Sequence, residues 1–122
     1  MQGAEPAVPV LDQRVLSELQ TLGTDVVAEI LDLFVRDVPN RLSALRLALD
    51  DRSPDAVLRE AHGLKGSALG IGAMRLAHLC AAIERDARDG QLDRAAAGSA
   101  RLEEEFAKAR RALRELRYQG QD

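Results

Sequence analysis

From Val27 onward the apolar residues Val27, Leu31, Phe34, Val38, Leu42, Leu45 and Leu49 advance by fours and threes without a break. That spacing lines one face of an α-helix. The same rhythm runs through Val15, Leu16, Leu19 and Leu22, through Val57, Ala61, Leu64, Ala68 and Ile71, and through Leu76, Cys80, Ile83 and Ala87. It returns in Leu92, Ala95, Ser99, Leu102, Phe106, Ala109, Leu113 and Leu116. No stretch alternates apolar and polar residues with period two over a strand's length. A chain built from single apolar stripes buries them by packing helix against helix, so an all-α fold is expected.

The punctuation places the elements. Residues 1–10 contain Pro6 and Pro9 and no periodic pattern, and read as a flexible tail or linker; residues 11–119 read as one helical domain. A short first helix starts at Asp12, and a long second one continues in phase through Pro39, which predicts one bent helix rather than two. Ser53-Pro54 has the cap and first-turn residues of a third helix, which Gly70-Ile71-Gly72 ends near Leu69. A fourth helix runs from Ala73 to about Asp89, and a fifth carries the stripe from Leu92 to Leu116. Short connections between long amphipathic helices make antiparallel neighbours, so the expected architecture is an up-down four-helix bundle with a short additional N-terminal helix.

Several function classes are disfavoured by composition. A net charge of −3 and only Phe34, Phe106 and Tyr118 as aromatics offer neither the basic surface nor the stacking platform that nucleic acids require. Cys80 is the single cysteine, so no internal disulfide or paired-cysteine metal site forms. Charges interrupt the apolar runs well before membrane-span length, and the N-terminus lacks a basic-then-apolar leader. A cytoplasmic protein with no membrane partner is expected.

Against this background one segment stands apart: Arg59-Glu60-Ala61-His62-Gly63-Leu64-Lys65-Gly66-Ser67. Glycines at 63, 66 and 70 each cost roughly 1 kcal/mol relative to alanine within a helix, a cost that a functional need would explain. Gly66 and Gly70 also fit a small-residue pattern for close packing of another helix. Leu58, His62, Lys65 and Leu69 share a face beside the core stripe, and neither position 61 nor position 69 gives Lys65 an acidic partner. A partly exposed imidazole with a cation one turn away and no bulk at Gly66 suits an anion site. Across the turn near Ile71, Glu84 lies about 6 Å, or one helical turn, from the height of His62. If Glu84 accepts the Nδ1 proton, the other ring nitrogen keeps its lone pair outward. An equally good local partner for Glu84 is Arg88, four residues on.

The run His62-Gly63-Leu64-Lys65-Gly66-Ser67-Ala68-Leu69-Gly70-Ile71-Gly72-Ala73, followed by Leu76, Leu79-Cys80 and Ile83-Glu84, closely resembles the histidine-containing phosphotransfer (HPt) domains of two-component phosphorelays. The resemblance extends from about Leu11 to Leu116, with its specific part between Ala61 and Glu84. It implies that His62 takes a phosphoryl group on Nε2 from the aspartyl phosphate of one response-regulator receiver domain and passes it to the aspartate of another. Lys65 would offset phosphoryl charge, Gly66 would clear room for the receiver, and Glu84 holds the position of a glutamine that orients the ring. Partner contacts would come from Leu58, Arg59, Gly63, Gly66, Ser67, Leu69 and Arg75. The receiver would supply Mg²⁺, so no cofactor or metal of the chain's own is expected. The resemblance implies a phosphocarrier with no kinase activity of its own, and an exposed His62 face suggests a monomer that docks transiently.

Four departures from the family pattern stand out: Gly70 for a frequent asparagine, Leu69 for a small residue, Gly63 for threonine or serine, and Glu84 for glutamine, which adds negative charge beside the phosphoryl site. Three other readings compete. The phosphorylated domain of a chemotaxis-type kinase shares the bundle and the His-x-x-Lys-Gly core, but the Leu79-Cys80 to Glu84 segment fits phosphorelay domains better. A non-catalytic helical adaptor would have no need of both His62 and Lys65. A metal-binding bundle would require a Glu-x-x-His pairing that His62 and His78 lack.

Overall fold

The computed structural model describes residues 8–119, with the side chains of 116–119 outside that description. Among the described residues the chain forms six helices: α1 (Gln13–Gln20), α2 (Thr24–Asp50), α3 (Pro54–Gly70), α4 (Met74–Arg88), α5 (Leu92–Ser99) and α6 (Leu102–Gln119). Helices α2, α3 and α4 and the α5–α6 pair make the four-membered bundle, and α6 closes it by packing on both α2 and α4. The short α1 lies against α2.

Local chemistry accounts for the ends. Asp12 caps α1 by accepting from the Arg14 N–H at 2.8 Å, and Ser53 Oγ accepts from the Ala56 N–H at the start of α3, where Pro54 takes the first helical position. Pro39 sits on the exposed side of α2, which runs through it as one helix. There the carbonyl that proline leaves unpaired can reach water. The tight turn between α3 and α4 depends on Gly72, whose φ of +77° a side chain would strain. Gly70, which the sequence places at the helix end, is the last residue of α3, and the left-handed residue is Gly72.

The core stripes are buried as the periodicity predicts: Val38, Leu45, Val57, Leu64, Leu76, Ile83 and Leu102 are almost wholly covered, and Phe34 meets Phe106 with ring centroids 5.5 Å apart. Alanines 61, 68, 73 and 95 are fully buried, which brings backbones close at the seams. Two boundaries differ from expectation. The predicted fifth helix is interrupted at Ala100-Arg101, where the N–H groups of both residues bond three residues back instead of four. The cause is local: Ser99 Oγ donates to the Ala96 carbonyl and competes with the helical ladder, while Gly98 lowers helix propensity. The apolar phase survives because the tightened turn adds little rotation.

The second difference is at the N-terminus. Val8, Pro9 and Val10, read as tail, run along the α3–α4 turn: Met74 N–H donates to Val10 O, Asp12 N–H to Gly72 O at 2.7 Å, and Leu11 bridges Ala73. Residues 1–7 of the predicted tail lie outside the described residues.

Candidate functional site

His62 is mid-way along α3, with its side chain 71% exposed. The neighbouring residues Ala61 and Leu64 are buried in the core, so the backbone beneath the ring is held rigidly. Across the α3–α4 hairpin Glu84 is buried, its side chain only 7% exposed, and Oε2 lies 3.2 Å from His62 Nδ1. A carboxylate only accepts, so Nδ1 carries the proton in this contact and the Nε2 lone pair is left free on an exposed ring. Glu84 reaches His62 from across the hairpin. Arg88 also approaches Glu84 Oε2, at 4.0 Å, so the two partners of Glu84 coexist.

Lys65 finds its partner on another helix. Lacking an acidic neighbour on its own helix, it ion-pairs across the hairpin with Glu84 Oε1 at 2.6 Å, and its side chain is 27% exposed. Burial pushes the Glu84 carboxyl up, but the hydrogen bonds and charges of Lys65 and His62 outweigh it and hold the group below the usual carboxylate value. Beneath this cluster Cys80 is buried, and burial together with the Glu84 charge pushes its thiol up to about 12. The thiol is therefore packing, not chemistry.

The residues expected to receive a partner divide into two groups. Gly66 and Gly70 face open space, since a Cβ built on either meets nothing within 4 Å. They seat no second helix, so close helix packing does not account for them. Leu69 is 46% exposed, Leu58 is half-buried against the core, and Arg59 extends into solvent within 3.7 Å of Glu60. Ser67 is half-buried and makes no polar contact with the cluster among the described residues.

Arg75 is turned elsewhere. Its Nε donates to Val8 O at 2.6 Å, and its side chain lines a groove with His78, Leu79, Arg101 and Glu105. The docked residues 8–10, taken as tail in the sequence, supply the carbonyl that captures it. Gly63, in contrast, has a neighbour that sequence reading missed: the Arg41 guanidinium of α2 lies over it, so that a Cβ there would stand 2.5 Å from Nη1. Only the α2–α3 pairing brings these two together, and no local signal marks it.

The arrangement resembles known proteins in both sequence and shape. The family model described as Hpt domain matches residues 29–112. The structure of histidine-containing phosphotransfer protein B (HptB) from Pseudomonas aeruginosa is 38% identical, covering 91% of this chain and 96% of that one with a TM-score of 0.83. A histidine-containing phosphotransfer protein from maize is 27% identical over 92% of this chain and 85% of its own, with a TM-score of 0.79. The HPT domain of a sensor hybrid histidine kinase from Shewanella, 19% identical, shares the fold over 90% of this chain and 95% of its own at a TM-score of 0.71. A comparison with curated protein sequences finds no match. A family model that covers most of the bundle, joined to a near-full-length relative with the same fold, establishes that the chain belongs to the Hpt domain family, the histidine phosphotransfer modules of two-component phosphorelays.

Proposed function

We propose that His62 is the phosphorylated residue and that it relays a phosphoryl group between aspartates of receiver domains. The observation that carries this reading is the exposed ring whose Nδ1 is held by the buried Glu84 carboxylate. The Nε2 lone pair attacks phosphorus, a N–P bond forms, and the acyl-phosphate P–O bond breaks with its electron pair leaving on the aspartate carboxylate. No proton has to move, because Nδ1–H stays in its bond to Glu84 while the ring takes up positive charge. The return step reverses these bonds on a second receiver.

Positioning and charge neutralisation dominate phosphoryl transfer, and the chain needs to supply only the nucleophile and its setting. Lys65 shifts its ammonium between Glu84 and the incoming phosphoryl oxygens; Gly66 and Leu69 present an open, partly apolar contact. Mg²⁺ is held by the receiver, and the domain works as a monomeric cytoplasmic carrier without a cofactor or kinase activity of its own. Its partners are receiver domains, either free or attached to a hybrid sensor kinase. Among the described residues no helix is long and apolar enough to cross a membrane.

Incubation with a phosphorylated receiver tests the reading. An acid-labile, alkali-stable label that His62→Gln abolishes is the expected result; no label with several receivers, or a label that persists in the variant, overturns it.

A further inference from the structure

Lys65, the cation one turn from His62, is committed within the molecule, held by Glu84 at 2.6 Å. Arg88, 4.0 Å from the same carboxylate, and Arg59, 3.7 Å from Glu60, are mostly exposed and only loosely placed. The chain as a whole carries a net charge of −3. A partner that presents an acyl phosphate brings at least two negative charges to this surface, so its approach needs a local cation with donors to spare. Arg41 meets that need. Its Nε is fixed by Asp37 at 2.6 Å, one turn back on α2, which leaves both Nη groups uncommitted. The side chain is 37% exposed and lies over Gly63, the residue next to His62.

We infer that Arg41 is a docking contact for the anionic rim of the phosphoryl-bearing partner, seated beside His62 by the missing side chain of Gly63. This rests on the reading of His62 as the relay nucleophile. The geometry gives Gly63 a purpose. Asp37 holds the guanidinium from one side, and the bare α3 backbone at Gly63 leaves room for its end beside the residue next to His62. Lys65 and Glu84 then flank the ring on the α4 side and Arg41 on the α2 side. An anionic partner centred on His62 meets Lys65 of the same helix on one side and Arg41 of α2 on the other.

Transfer from a phosphorylated receiver to the full chain is measured at several receiver and salt concentrations. Arg41→Ala lowers the second-order rate about fivefold and flattens its salt dependence, as loss of a rim charge does, while the limiting rate at saturating receiver holds. Arg41→Lys, which keeps the charge without the fork, falls between the two. Gly63→Ala stays folded because only the flexible end of Arg41 has to move, and it slows transfer in the same way. The double variant is no slower than Arg41→Ala alone, since one guanidinium carries both effects. A labelled wild type with Arg41→Ala at the wild-type rate and salt dependence overturns the inference by itself, as do single effects that multiply in the double variant. A wild-type chain that takes no label overturns the relay reading and this inference with it.

Discussion

Glu84 is buried while the His62 ring it contacts, 3.2 Å away at Nδ1, stands in solvent. One carboxylate thereby joins the interior to the exposed His62 surface. It contacts the ring at Nδ1 and also pairs with Lys65, so a single residue of α4 engages two side chains of α3.

Removing that carboxylate should uncouple the pair. Glu84→Ala leaves Lys65 without its 2.6 Å partner and His62 without an acceptor at Nδ1. A stability loss of about 1–3 kcal/mol is expected in urea denaturation, below the range for fully buried pairs because Lys65 keeps some solvent contact. Glu84→Gln retains an acceptor for the ring and should lose less. Nitrogen NMR of the imidazole would show Nδ1–H dominant in the wild type and in Glu84→Gln, and a mixed population in Glu84→Ala. An unchanged spectrum in Glu84→Ala would count against ring orientation by Glu84.

The same group sets an acid-stability window. Its folded value is held below its ordinary 4.5, chiefly by Lys65 and His62 acting against burial. Folding therefore favours the ionised form, and this stabilisation is complete above the unfolded value and fades as pH falls from about 4.5 through the lower folded value. Wild type should lose more stability than Glu84→Gln across that interval. Chemical denaturation of both proteins in steps from pH 6 downward (about one unit apart) measures the difference.

Gly66→Ala should separate stability from transfer. Open space surrounds the added methyl, and alanine favours the helix, so the variant should gain about 0.5–1 kcal/mol in thermal or urea unfolding. Transfer from a receiver should slow, because the methyl stands one turn from His62 on the proposed docking face. A larger residue such as leucine should slow it further. Full-rate transfer with Gly66→Leu would remove the clearance role.

Cys80 should resist thiol reagents. Its thiol is buried and pushed up to about 12, so almost no thiolate is present at pH 8. Reaction with a chromogenic disulfide should follow global unfolding, with its rate rising in step with denaturant. Rapid labelling of the native protein would contradict this burial.

The fold was legible because its cause is local and repeated. Apolar residues such as Val38, Leu45, Leu64 and Ile83 recur at helical spacing, and Ser53-Pro54 and Asp12 mark starts by the hydrogen bonds they can make. The break at Ala100-Arg101 was hidden because a tightened turn preserves the phase that the eye follows. The ordered course of residues 8–10 was hidden for another reason: their partners, Gly72, Met74 and Arg75, are distant in sequence.

The site divides in the same way. By itself the sequence determined the helices, the core stripes, and the placement of His62 with Lys65 on one face, because helical periodicity is a property of consecutive residues. Tertiary structure alone decided that Lys65 is bound to Glu84, that Arg75 is captured by Val8, and that Arg41 rests on Gly63. Charges attract whichever partner packing brings within a few ångströms, and only the assembled bundle settles which partner that is.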